Sequence, residues 1–317
     1  MARAFTFPGQ GSQAVGMGKD LAEAFGAARE VFEEIDDALS DKLSKLMFEG
    51  PIEDLTLTQN AQPAIMGVSL AVVRVLKQEF GVDIASAAQF VAGHSLGEYS
   101  ALAAADAIDL TTTARLLRRR GEAMQRAVPV GDGAMSALLG IEPDQAAKVT
   151  AEAVEKLGGG AVCAVANDNG GGQVVISGSA DAVKTAGELA VEQGAKRAMP
   201  LPVSAPFHCS LMQPAADEMA EALEQVTIAP PKVPVIANVT VEPVSDPAQI
   251  QALLVEQVTA MVRWRETISF LQPNGVDTAV EVGAGKILTG MAKRIDRDLT
   301  LVNVGTPDQI EDFAKSL

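Results

Sequence analysis

A serine flanked by glycines, Gly93-His94-Ser95-Leu96-Gly97, lies between an apolar stretch at residues 87–92 and an alanine-rich stretch of helical pattern at residues 98–105. At a strand-to-helix junction this order puts the serine on a strained turn that pushes its hydroxyl out of the fold, as a nucleophile requires. The glycines let backbone segments approach where a side chain would not fit. Such a serine needs a base, and the chain has only two histidines, His94 and His208. His94 adjoins the serine, and neighbouring side chains on a tight turn diverge. The candidate base is therefore His208, in Pro206-Phe207-His208-Cys209, where the proline holds Ala205 extended in a loop at a strand end.

Three arginines, Arg118, Arg119 and Arg120, follow one another in a segment of helical pattern at residues 111–126. At about 100° per residue they cannot share a face. Four-residue spacing puts Arg120 in line with Leu116 and Met124, so Arg120 is the one directed at the apolar interior. A buried guanidinium must find an anion, because an unpaired buried charge is costly. Two readings follow: a salt bridge to one of the 41 acidic residues, or a bidentate clamp for a substrate carboxylate.

Elements that could hold these residues are legible in the pattern. Residues 5–7 read as a first strand that ends in Pro8-Gly9-Gln10-Gly11-Ser12-Gln13. Helical periodicity covers 19–37 and 64–80, and strand, turn and helix fill 87–105. From about Pro129 the order becomes strand 134–141, helix 144–157, strands 161–166 and 173–177, helix 180–192 and strand 196–201. This β-α-β-β-α-β order describes a ferredoxin-like unit. The helical and strand patterns then resume at 247–260, 267–271 and 277–282, with a helix running from Gly283 to Ile295. The expected class is α/β: a hydrolase-like, parallel-sheet large subdomain (1–128 and 202–317) with an inserted ferredoxin-like small subdomain (129–201). Ser95 and His208 flank the insertion in sequence, so they should meet in the cleft between the two parts.

Composition bounds the rest. At 317 residues and 48% hydrophobic, the chain can bury a sizeable core. Two cysteines and two histidines give neither a disulfide framework nor metal-ligand spacing, so no metal is expected. A net charge of −16 argues against a nucleic-acid partner. An acidic protein partner would need a local cationic patch, for which Arg118, Arg119, Lys196, Arg197, Lys286, Lys293 and Arg294 are candidates. The start of the chain has no basic segment followed by an apolar signal core, and the longest apolar run carries charges. A cytoplasmic protein without membrane contact is expected.

The motifs Pro8-Gly9-Gln10-Gly11-Ser12-Gln13, Gly93-His94-Ser95-Leu96-Gly97-Glu98-Tyr99, Arg120-Gly121, Pro206-Phe207-His208 and Glu281-Val282-Gly283 together resemble the bacterial malonyl-CoA:acyl carrier protein transacylase family of fatty acid biosynthesis. The resemblance implies an [acyl-carrier-protein] S-malonyltransferase. In it Ser95 would attack the malonyl thioester, His208 would carry the proton, and backbone N–H groups of Gln10 and Leu96 would hold the oxyanion. It also implies that Arg120 binds the malonyl carboxylate, that Met124 and Phe207 line the substrate pocket, and that a backbone carbonyl near Arg263 orients His208 in place of an aspartate. Transfer would be ping-pong, from malonyl-CoA to acyl carrier protein. CoA and phosphopantetheine would enter as parts of the substrates, with no cofactor, and the enzyme is expected to be a monomer.

Other readings remain open on the sequence. Asp132-Gly133-Ala134 resembles the aspartate motif of patatin-like acyl hydrolases, and Ser95 with His208 would also suit an esterase. Gly9-Gln10-Gly11-Ser12-Gln13-Ala14 fits a dinucleotide fingerprint loosely. A carrier-protein docking module with a vestigial site is the non-enzymatic alternative.

Overall fold

Ten strands follow one another along the described chain: β1 (Arg3–Phe7), β2 (Phe90–Gly93), β3 (Gly133–Leu139), β4 (Cys163–Asp168), β5 (Gln173–Ser179), β6 (Arg197–Pro200), β7 (Val235–Ile236), β8 (Pro243–Val244), β9 (Thr278–Val282) and β10 (Thr300–Val304). The computed structural model describes residues 2–203 and 205–317. The strands form two sheets, one of order β10-β9-β1-β2-β7-β8 and one of order β4-β5-β3-β6.

In the larger sheet β10, β9, β1, β2 and β7 run parallel, and only the edge strand β8 is antiparallel. A parallel sheet must be covered on both faces, and β1 displays the resulting alternation. Phe5 and Phe7 enter the core formed with helices Thr58–Phe80 and Leu110–Ala127, whereas Ala4 faces the opposite core built on Trp264, Ile268 and Leu288. Pairing of Phe7 with Gly93 brings the ends of β1 and β2 together. The Gln10 loop and the Ser95 turn therefore leave the sheet side by side.

The smaller sheet is antiparallel throughout, with helices Pro143–Leu157 and Ala180–Glu192 packed on it through Val149, Val183 and Ala186. Its β-α-β-β-α-β order and 2-3-1-4 arrangement of strands are those of a ferredoxin-like unit. The segment at Val262 ties the smaller sheet to the larger part of the molecule. Val262 N–H donates to Ala166 O (2.9 Å) and Asp168 N–H to Val262 O (3.0 Å), and Arg265 pairs with the buried Asp168 (2.7 Å).

Several elements depart from the sequence expectation. The helix expected over 19–37 is two, Lys19–Ala24 and Gly26–Leu39, because Phe25 is extended (φ −128°, ψ 125°). The helix expected from residue 64 begins at Thr58 and contains Pro63; the proline removes one hydrogen bond, and burial of the surrounding residues outweighs that. The helix expected to reach residue 260 ends at Glu256, and the chain after it is central to the site.

Candidate active site

Ser95 sits on the turn between β2 and helix Gly97–Ala104 with φ 53°, a left-handed conformation that costs a non-glycine residue about 1 kcal/mol or more. The turn can close because Gly93 has no side chain: a Cβ there would overlap the Gly97 carbonyl. Asn238, fully buried, braces the elbow from the end of β7 by accepting from Ser95 N–H (2.8 Å) and donating to Gly93 O (2.6 Å).

The Ser95 hydroxyl lies 2.8 Å from His208 Nε2. His208, also at positive φ (58°), is buried, and its Nδ1 faces two backbone carbonyls, Gln257 O (2.9 Å) and Ala260 O (3.1 Å). Carbonyls only accept, so Nδ1 carries the proton and Nε2 presents its lone pair to the serine. The acceptors exist because helix Pro247–Glu256 stops short of residue 260, leaving carbonyls with no partner within the helix. The negative end of that helix also favours a positive imidazole. Arg263, expected to supply this carbonyl, does not: its carbonyl accepts from Thr267 N–H (3.0 Å) and Thr267 Oγ1 (3.1 Å) at the start of the next helix. His94 turns its ring to Asn169 Oδ1 (3.0 Å) on the smaller lobe.

Arg120 is 1% exposed, and its contacts are neutral: Nη1 donates to Gln62 Oε1 (2.8 Å), and Nη2 donates to Gln257 Oε1 (2.9 Å) and Ser95 Oγ (3.2 Å). It makes no ion pair with any described residue, so the salt-bridge reading fails and the charge stands open beside the serine. Gly121 permits this placement, because a Cβ there would press on the backbone of Gln59 in the adjoining helix. Burial and the Arg120 guanidinium push the His208 pKa down to about 3, so the imidazole is neutral and able to accept a proton.

Ser95, His208 and Arg120 open into a cavity of about 270 Å³ between the lobes, which Gln10, Leu96, Met124 and Phe207 also line. The backbone N–H groups of Gln10 and Leu96 have no acceptor among the described residues, which leaves both free for an oxyanion. Among the described residues no three or more His, Cys, Asp or Glu side chains are grouped to hold a metal. No helix there is long and apolar enough to cross a membrane.

The rival motifs do not assemble. Asp132 is exposed in the turn before β3 and does not line the cavity. The Gly9 to Ala14 loop is followed by turns, with no helix until Lys19, whereas a dinucleotide fingerprint opens directly into one. Of the cationic candidates, Arg118 is paired with Asp41 and Arg119 with Glu218, while Lys286 and Lys293 are exposed without an ion pair among the described residues. Sequence reasoning missed Gln257, Asn238 and Gln62, neutral amides that carry no signal of their own.

Fold and site together define an acyl-transfer enzyme of the serine type. The family model described as "Acyl transferase domain" matches residues 4–301. A malonyl CoA-acyl carrier protein transacylase of Bacillus subtilis (strain 168) is 47% identical over 308 residues, covering 97% of this chain and 95% of that protein. A crystal structure of an acyl-carrier-protein-S-malonyltransferase from Bartonella henselae superposes with a TM-score of 0.96 at 57% identity, covering 100% of this chain and 99% of that one. A malonyl-transacylase solved in complex with its type II PKS acyl-carrier protein is 40% identical, with a TM-score of 0.95 and 100% of both chains covered. The chain belongs to the acyl transferase family, and within it to the malonyl CoA-acyl carrier protein transacylases.

Proposed function

We propose that this enzyme moves a malonyl group from CoA to the phosphopantetheine thiol of an acyl carrier protein, in fatty acid biosynthesis, through a malonyl ester on Ser95. The observation that carries the reading is the buried, carboxylate-free Arg120 with a guanidinium nitrogen 3.2 Å from the Ser95 hydroxyl. A clamp for an acyl chain ending in a carboxylate belongs at that distance from the nucleophile.

In the first half-reaction Ser95 Oγ attacks the thioester carbon as His208 Nε2 takes its proton, and the Gln10 and Leu96 amides receive the developing oxyanion. His208 returns the proton to the departing CoA sulfur. The carrier's thiol then attacks the malonyl-serine ester, with the same histidine as base and then acid. Binding of the malonyl carboxylate to Arg120 holds the ester in a cavity that is otherwise largely apolar, which keeps attacking water out of line. CoA and phosphopantetheine are parts of the substrates, and the reading needs neither a metal nor another cofactor. The enzyme is read as a cytoplasmic monomer.

Helix Ile287–Ile295 contributes Met291 to the cavity and carries exposed Lys293, with Lys286 just before it. That side of the mouth is where the carrier is read to approach. Incubation with labelled malonyl-CoA should yield one malonyl group per chain, discharged by added carrier protein. A chain that remains unlabelled at Ser95 would refute the reading.

A further inference from the structure

Glu98, the last residue but one of the motif Gly93-His94-Ser95-Leu96-Gly97-Glu98-Tyr99, is 3% exposed on the first turn of helix Gly97–Ala104 and makes no ion pair with any described residue. Its Oε2 accepts from Gln257 Nε2 (2.7 Å) and from Asn238 N–H (3.1 Å). Those are the two residues that brace the elbow, Asn238 through Ser95 N–H and Gln257 Nε2 through Ser95 O (3.1 Å). Gln257, 1% exposed, also gives its backbone carbonyl to His208 and its side-chain oxygen to Arg120.

We propose that Glu98 is a positioning residue for recognition of the acyl carboxylate, acting by locking the Gln257 side-chain amide with its oxygen toward Arg120. The two ends of an amide are nearly equal in shape, so sterics alone do not choose between its orientations. Both Nε2 hydrogens are committed, one to Ser95 O and one to Glu98 Oε2. A flip would set the amide oxygen against two acceptors and the amide nitrogen against the Arg120 donors. Without the Glu98 acceptor a flipped amide meets only one opposing oxygen, and the guanidinium loses the partner that aims it at the serine. Burial raises the Glu98 carboxyl to about 7. A proton on Oε1 leaves Oε2 as the acceptor, so the lock needs an oxygen in this place and no net charge.

The inference rests on the malonyl reading, and the test separates the two. Acylation of Ser95 by malonyl-CoA and by acetyl-CoA is followed by intact-protein mass at quenched times. The variants are Glu98→Met, Glu98→Asp, Glu98→Gln, Gln257→Leu and the double variant Glu98→Met/Gln257→Leu. Glu98→Met should raise the half-saturating malonyl-CoA concentration about tenfold, the loss of one buried hydrogen bond, with a smaller change for acetyl-CoA. Glu98→Asp, which withdraws the oxygen while keeping the acid, should shift selectivity the same way if Glu98→Met does not fold. Glu98→Gln should stay within about twofold of the parent, and Glu98→Met should add nothing in the Gln257→Leu background. Equal losses for the two thioesters, failure of Glu98→Gln to restore selectivity, or additive effects in the double variant would overturn the proposal. A parent enzyme that takes acetyl but no malonyl group would instead overturn the malonyl reading.

Discussion

Ser95 Oγ and His208 Nε2 lie 2.8 Å apart although the two residues are 113 positions apart in sequence, and each is held at positive φ. Both backbones adopt a conformation that is costly outside glycine, and both residues are held by hydrogen bonds from other elements: Asn238 fixes the Ser95 backbone through its N–H, and Gln257 O and Ala260 O fix the His208 ring through Nδ1. Among the described residues no aspartate touches the histidine. Two backbone carbonyls, one at the end of helix Pro247–Glu256 and one in the turn after it, set its tautomer, so one catalytic pair rather than a triad should account for the chemistry. Ser95→Ala should form no malonyl adduct, and His208→Ala should slow acylation by about 10²- to 10⁴-fold, the usual worth of a positioned base. Quenched-flow mass measurement of the adduct checks both, and a His208→Ala enzyme that acylates at the parent rate would remove the histidine from the reaction.

Arg120 poses the question of selectivity. Its partners, Gln62, Gln257 and Ser95 Oγ, are all neutral acceptors, so a substrate carboxylate would meet a desolvated cation. Truncating one member of a buried charge pair costs roughly 2–5 kcal/mol. Arg120→Ala should therefore lose about 10²-fold or more in kcat/KM for malonyl-CoA and gain use of acetyl-CoA. Arg120→Lys should keep only part of the malonyl activity, because a point charge replaces the planar fork. An unchanged malonyl to acetyl ratio in Arg120→Ala would end its assignment as the clamp.

The three residues proposed to carry this chemistry were legible because each was rare or out of place. Ser95 stands between glycines, His208 is one of two histidines, and Arg120 falls in an apolar stripe. The ferredoxin-like unit was legible because its strand and helix periods alternate cleanly. The residues that aim the site left no such trace. Gln257, Asn238 and Gln62 are ordinary amides until the fold brings them to the elbow. The carbonyl that orients His208 could come from any residue type, so where helix Pro247–Glu256 ends decides it, and helix ends are the least readable feature of a sequence. Strand β7 supports Asn238 with only two residues, too few to show a period.

The pH response follows from two buried groups of opposite sign. Burial, then the Arg120 charge, holds His208 near 3 against an ordinary value of 6.5, so free enzyme should show no histidine limb in kcat/KM between about pH 5 and about pH 8. A malonyl carboxylate on Arg120 offsets that charge, so the His208 pKa in the malonyl-enzyme should lie above its value in the free enzyme. For stability, the unfolded chain protonates this histidine near 6.5 and the folded chain does not. Its contribution is therefore complete above 6.5 and lost as pH falls toward 3. Glu98, raised from 4.5 to about 7, does the reverse, and its contribution is lost as pH rises through that window. The Tm decrease from about pH 7 to about pH 5 should be smaller in His208→Ala than in the parent. An equal decrease in both would show that the imidazole is not held neutral.

Phe207 adjoins the base in sequence, is 7% exposed and lines the cavity together with the apolar side chains of Met124 and Val203. On the proposed function, an acyl chain held at one end by Arg120 and at the other by Ser95 would have its α-carbon between them, and a branch there would have to fit beside the Phe207 ring. One methyl group in an apolar pocket is worth about 1–3 kcal/mol of discrimination. The parent enzyme should therefore prefer malonyl-CoA to methylmalonyl-CoA, and Phe207→Ser should move that ratio toward methylmalonyl by about tenfold or more. Competition between the two thioesters for Ser95, read as the mass ratio of the adducts, measures it directly. A ratio that stays put would place the methyl group elsewhere in the cavity and free Phe207 of any part in selection.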